Sequence, residues 1–323
     1  MPVPNQPSDS DRRSVSETRA GPVKPHRIPQ IQYINRETGL KETERVYGEQ
    51  ALMFLYHTRS GVFLRKHLFR HPWFSHLNAI KKRLWLSRRH IREFADTFGV
   101  AIDEAEKPIG DYHSLDEFFC RRLTPQARPL CPEHRALLSP ADGRVLCYPI
   151  RPGAKMQLKG QQVSLEALLR SAESAAALDG GTALVIRLAP KDYHRFHFPC
   201  DGTLAHQKNI SGPLESVHPI ALSSGAQSFL NKRTITTITS PHFGEIVMAE
   251  IGALTIGTIE QTFSGTTFSR GQEKGCFRFG GSTVVLLWGP EGPTVDADIL
   301  ANSTSGIETL VKYGTQIAAL HNN

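Results

Sequence analysis

Nowhere in this 323-residue sequence do about 18 apolar residues run together, which excludes a simple transmembrane helix. The five cysteines, Cys120, Cys131, Cys147, Cys200 and Cys276, include no C-x-x-C pair and are odd in number. That argues against a disulfide framework or a zinc ribbon and for reduced thiols in a cytoplasmic setting. Acidic residues are absent from Gln50 to Arg92, where ten basic ones lie: Arg59, Arg65, Lys66, Arg70, Lys81, Lys82, Arg83, Arg88, Arg89 and Arg92. The whole chain carries +7, so these ten leave the remainder at −3 and the basicity belongs to one segment. Residues 1–30 lack an apolar h-region and are rich in Pro, Ser, Arg and Asp, so they read as a disordered tail and not as a signal peptide.

With 39% hydrophobic residues the chain can bury a substantial core. Residues 31–49 are polar, with a turn at Glu37 to Gly39. The basic segment then mixes bulky apolar residues, Phe54, Phe63, Trp73, Phe74 and Leu77 among them, with Lys and Arg at roughly helical spacing, interrupted by Gly61 and Pro72. Two or three short amphipathic helices are expected. They fit an interfacial membrane element, and an ordinary helical subdomain with a solvated basic face remains the alternative. If half the charges face an anionic leaflet at about 1 kcal/mol each, the attraction is about 5 kcal/mol, enough for peripheral binding. No nucleic-acid motif accompanies the patch, so no nucleic-acid partner is expected.

Ser114 to Glu117 form a capping box that starts a short helix. From about Leu137 the character changes to strands, at Leu146–Ile150, Thr182–Leu188, Arg233–Thr239, Glu245–Ile251, Thr255–Phe263 and Thr283–Trp288, interrupted by one helix near Leu165–Leu178. The expected class is α+β: a mainly antiparallel β core, sandwich- or barrel-like, with an amphipathic helical region ahead of it. The boundaries read as a tail at 1–30, a helical, membrane-associating region at 31–125 and a β-rich catalytic domain at 126–323.

Three stretches carry candidate chemistry. SPADGRV (139–145) puts Asp142 and Gly143 in a tight turn entering a strand, which has a purely structural reading too. LAPKDYHRFHFPCDG (188–202) holds His194 and His197 between Pro190 and Pro199. The prolines oppose a helix, and in an extended segment an odd separation points the two imidazoles to opposite faces about 10 Å apart. That disfavours a shared metal ion, so no metal is expected, and two separate jobs are more natural. FRFGGSTVVLLW (277–288) sets Gly280, Gly281, Ser282 and Thr283 against an apolar strand. Glycine there can hold a strained bend, although a bulge or hairpin turn would use it equally. Val284 stands where a nucleophile elbow needs its last glycine, so a conventional hydrolase fits poorly.

PADGRV, KDYHRFHFP, FGEIVMAEIGALTIGTIEQTF and KGCFRFGGSTVVLLW, in this order and spacing, resemble the phosphatidylserine decarboxylase family from about Ile31 to the C-terminus. INRETG and the GGST form are closer to the family's second bacterial type. The resemblance implies a proenzyme cut by its own serine at Gly281–Ser282 into a β chain, 1–281, and an α chain, 282–323, which stay associated; a homo-oligomer is left open. It implies a covalent pyruvoyl cofactor made from Ser282, which forms a Schiff base with phosphatidylserine of an anionic membrane and releases phosphatidylethanolamine and carbon dioxide. It further implies a self-cleavage triad of Asp142, His197 and Ser282, with His194 assisting decarboxylation, and a peripheral place on the cytoplasmic face of the inner membrane. A pyruvoyl decarboxylase of a soluble amino acid and a non-enzymatic β-rich carrier are the other readings weighed.

Overall fold

A computed structural model of the chain describes residues 31–44, 49–69, 81–158, 161–254, 258–278 and 282–320. The tail at 1–30, Arg70, Trp73, Phe74 and Leu77 of the basic segment, Thr255, and both glycines before Ser282 lie outside the described residues.

Among the described residues the strands run β1 (Gln32–Asn35), β2 (Lys41–Thr43), β3 (Ala136–Leu138), β4 (Gly143–Pro149), β5 (Lys155–Leu158), β6 (Gln161–Ser164), β7 (Thr182–Leu188), β8 (Arg195–His197), β9 (Gly202–Ile210), β10 (Arg233–Ser240), β11 (Gly244–Gly252), β12 (Ile259–Gln261), β13 (Thr267–Phe268), β14 (Glu273–Phe277), β15 (Ser282–Trp288), β16 (Thr294–Val295), β17 (Glu308–Val311) and β18 (Gln316–Ala319). Ten of them build one sheet in the order β13-β9-β10-β11-β15-β7-β4-β17-β1-β2. All its pairings are antiparallel except β1 with β17. The sheet does not close into a barrel, and together with the helices it makes the α+β class expected.

Alternation along the central strands gives the sheet two buried faces. Val284, Leu286 and Trp288 of β15, with Leu184, Ile186 and Leu188 of β7, pack against Phe196, Phe198 and Phe277, which arrive on β8 and the strands around it. The sheets β12-β14-β8 and β16-β18-β3 thus roof that face. Val285, Leu287, Val185 and Ile251 face the other way, onto Leu165, Leu168 and Phe229. Covered on both sides and both edges, β15 is buried at all seven positions, which is why its sequence is a continuous apolar run and not an alternating one. Gly275 lets β14 approach β8 closely: a Cβ there would lie 2.2 Å from the Glu260 carbonyl and 2.6 Å from the Phe196 ring.

The helix read at Leu165–Leu178 is two, α5 (Leu165–Leu169) and α6 (Ala172–Ala176) by their place after α1 (Glu49–His57), α2 (Arg59–Leu64), α3 (Ile91–Phe98) and α4 (Leu115–Phe119). Arg170, at φ 49°, turns the backbone left-handed and ends the first, and the Ser171 hydroxyl caps the second. The capping box forms as read, Glu117 N–H donating to Ser114 Oγ at 3.1 Å. α3 and α4 bury Phe94, Phe98, Phe118 and Phe119 in a core of their own that reaches Cys120 and Cys276. Among the described residues of the segment read at Thr255–Phe263, the strand is β12, Ile259–Gln261.

Candidate functional site

Ser282 opens β15 at the centre of the large sheet, opposite Leu188 on β7 and Gly252 on β11. Its period with Val284 turns the side chain toward the layer that carries the two histidines. The residue is wholly buried, and its Oγ has no hydrogen-bond partner among the described residues. An orphaned buried hydroxyl costs about 1–3 kcal/mol and is a feature that a purely structural serine would not retain. The chain before it is pinned. Phe277 N–H donates to the His194 carbonyl at 2.9 Å, and Arg278 pairs with Asp116 at 3.3 Å and Glu260 at 2.5 Å.

His194 and His197 are both buried but keep different company. His194 lies against the Phe119 ring, centroids 3.9 Å apart, with Nδ1 2.9 Å from the Asp192 carbonyl. Its loop is tied by Asp192, which accepts Ala189 N–H at 2.6 Å and pairs with Arg144. Burial outweighs the arginine and holds that carboxyl above the usual range. His197 ends β8, where its backbone N–H donates to Pro140 at 2.8 Å. Its ring stacks on Tyr313 at 3.7 Å and 17°, with Tyr193 at 5.7 Å. Burial pushes the imidazole down to about 4, so at neutral pH it is uncharged and able to accept a proton.

Asp142 sits at the mouth of β4, buried, with both oxygens occupied. Oδ1 accepts Arg128 Nε at 3.0 Å and Tyr313 N–H at 2.8 Å, and Oδ2 accepts Arg128 Nη2 at 2.6 Å. Arg128 also holds Glu104 at 2.9 Å. Asp142 therefore reaches His197 through Tyr313, whose backbone it fixes and whose ring covers the imidazole. Gly281 lies outside the described residues.

Sequence reasoning missed Arg128 and Tyr313. Arg128 is one Arg among many before a proline, and Tyr313 stands 171 positions from Asp142, so neither carries a local signal. A second buried pair, Glu250 with Lys274 at 3.1 Å, joins the two sheets, and Gln261 Oε1 accepts from Lys274 Nζ at 2.7 Å. Burial raises the acid and lowers the amine. No helix among the described residues is long and apolar enough to cross a membrane. The basic segment exposes Phe63 (67%), Trp85 (68%) and Leu86 (61%), whereas Arg65 turns inward to Glu215 and Arg83 lies 3.4 Å from Asp116.

The sequence model of the phosphatidylserine decarboxylase family matches residues 115–319. Among curated proteins, the phosphatidylserine decarboxylase proenzyme of Chlamydia muridarum is 42% identical over 288 residues, 88% of this chain and 96% of that one. The proenzymes of Chlamydia pneumoniae and Chlamydia caviae are each 39% identical, over 88% and 90% of this chain and 96% and 98% of theirs. With a buried serine at the head of its central strand and relatives of this identity along nearly its whole described length, the chain belongs to the phosphatidylserine decarboxylase family.

Proposed function

We propose that the chain is a proenzyme that cuts its own backbone between Gly281 and Ser282 and then decarboxylates phosphatidylserine at a membrane surface. The observation that carries this reading is Ser282: a buried, unpartnered hydroxyl at the first position of the central strand, in a chain about 40% identical to named proenzymes. In the self-cut, Ser282 Oγ attacks the Gly281 carbonyl carbon while His197 takes the hydroxyl proton, turning amide into ester. Loss of the serine α-proton expels the 1–281 chain as a carboxylate and leaves dehydroalanine, which tautomerises and hydrolyses to a pyruvoyl end and ammonia. When formed, the pyruvoyl group supplies a ketone for the substrate amine and an electron sink for the leaving carbon dioxide.

The surroundings of Ser282 suit both stages. After the cut, residues 282–323 are 42 in number, too few to fold alone, and β15 between β7 and β11 keeps them in the sheet. His194, on Phe119 and the Asp192 loop, is the group placed to handle a proton in decarboxylation, while His197 serves the cut. The exposed Phe63, Trp85 and Leu86, with exposed Arg59, Lys66, Lys81, Arg89 and Arg92, form the surface that meets an anionic leaflet. Five charges at about 1 kcal/mol each are enough to hold a protein peripherally, which supports reading this one as a peripheral protein of the cytoplasmic face of the inner membrane.

Intact mass spectrometry of purified protein tests the reading. Two chains are expected, the smaller one starting at position 282 with a pyruvoyl group in place of the serine. A chain that stays whole through prolonged incubation overturns it.

A further inference from the structure

We propose that Asp116 is a positioning residue for the self-cut: through its ion pair with Arg278 it fixes the near end of the short link that brings the Gly281 carbonyl to Ser282. This rests on the self-cleaving reading above and adds a residue to which that reading gives no part.

Three residues, Phe279, Gly280 and Gly281, join Arg278 to Ser282. Ser282 is held by β15, whose register sets it against Leu188 and Gly252. A link that short, with two glycines in it, takes its course from its ends, so attack on Gly281 needs position 278 fixed as firmly as position 282. Backbone and side-chain contacts share that task. Phe277 N–H donates to the His194 carbonyl at 2.9 Å and Arg278 N–H to the Thr258 carbonyl at 3.2 Å. Cys120 Sγ donates to the Phe277 carbonyl at 3.4 Å, and the Arg278 guanidinium spans Asp116 at 3.3 Å and Glu260 at 2.5 Å.

Of the two carboxylates, Asp116 is the one able to hold a fixed geometry. It is buried, so its charge acts through protein, whereas the Glu260 side chain is 41% exposed and screened by water. It also arrives on the element that touches the rest of the site. Asp116, Phe119 and Cys120, three and four positions apart on α4 and its C-terminal cap, share one helix face. From that face Phe119 lies on the His194 ring, Cys120 meets the Phe277 carbonyl and Asp116 meets Arg278. One short helix thus grips the segment ahead of Ser282 beside the histidine layer, and the Ser114 hydroxyl, capping its first turn, keeps Asp116 in place. Arg83 Nε reaches the same Asp116 oxygen at 3.4 Å, but its side chain is 45% exposed, so it balances charge without fixing geometry.

The experiment follows self-cleavage of the full-length precursor by intact mass. Asp116→Asn, which keeps the size and removes the charge, is expected to slow the cut by about 100-fold, the cost of a misplaced carbonyl. Arg278→Gln should be as slow, and the double variant no slower than either, because both changes break one contact. Arg278→Lys should recover about a tenth of the wild-type rate or more, and Glu260→Gln should slow the cut by no more than about 3-fold. Hydroxylamine takes the Gly281 acyl group from the ester as a hydroxamate and returns the Ser282 hydroxyl, so it acts only after the acyl shift and should not speed the slow variants. Wild-type cleavage in Asp116→Asn, losses that multiply in the double variant, Arg278→Lys as slow as Arg278→Gln, Glu260→Gln as slow as Asp116→Asn, or acceleration by hydroxylamine would each overturn the inference. If Asp116→Asn does not fold, the two Arg278 variants carry the test. Absence of cleavage in the wild type would instead sink the proenzyme reading itself, a separate outcome.

Discussion

Asp142→Asn separates the structural duty of this carboxylate from its chemical one. In the wild type Asp142 receives Arg128 through two nitrogens, at 3.0 and 2.6 Å, and holds Tyr313 N–H at 2.8 Å. An asparagine keeps one oxygen, enough for Arg128 Nε and the Tyr313 amide, but turns an NH2 group toward Arg128 Nη2. Glu104, a quarter exposed, is then the carboxylate left to balance the Arg128 charge. Breaking a buried pair from one side costs about 3–5 kcal/mol, and the surviving Glu104 contact puts this case near 3. For a unit of this size that is a fall in melting temperature of about 6–10 °C. Calorimetry should be run in a Ser282→Ala background, so that cleavage does not enter the comparison. In the Ser282 background the same change should slow the cut by at least about 100-fold, because the turn that carries position 142 loses its ion pair with Arg128 and no longer holds the Tyr313 ring firmly on the imidazole. An unchanged melting temperature would refute the reasoning about the ion pair, and full-speed cleavage would refute the route from Asp142 through Tyr313 to His197.

Other expectations are as direct. Ser282→Ala should persist as one polypeptide of full mass without decarboxylase activity, whereas His194→Ala should yield two chains and decarboxylate poorly; equal loss of cleavage in His194→Ala and His197→Ala would refute the division of labour. Burial holds His197 at about 4 in the folded chain against about 6.5 unfolded, so between those values the unfolded state binds more protons. The stability this contributes is present above pH 6.5 and is lost as pH falls toward 4, by about 3 kcal/mol in all; urea unfolding across that window should show the slope in Ser282→Ala and not when His197→Gln is added. Replacing Phe63 and Trp85 by serine should weaken co-sedimentation with anionic vesicles by 10-fold or more, at about 2 kcal/mol for each side chain buried in the interface. Unchanged binding would remove these residues from the membrane surface.

Much of this protein was legible in one dimension because the features are local. A short continuous apolar run rich in β-branched residues after GGST reads as a strand covered on both faces, and β15 is one, seven residues buried without exception. The capping box at Ser114 forms where read, as do the Val-, Ile- and Thr-rich segments other than Thr255–Phe263, whose described residues are strand only at Ile259–Gln261, since caps and strand propensity act over a few residues. The helix read at Leu165–Leu178 failed on a single backbone angle: Arg170 breaks it into two.

The order of the motifs named the family, but it could not say what surrounds each side chain. Burial, pairing and register belong to residues far apart in the chain. Only the fold turned Arg65 from a surface charge into a partner for Glu215, 150 positions away, and gave Asp142 to Arg128. Only the slip in the β14–β8 ladder set Glu273 across from His197. The sequence by itself determined which residues can react; the tertiary structure decided which charges stand beside them, because electrostatic neighbours in a buried site are chosen by strand register and packing and not by distance along the chain.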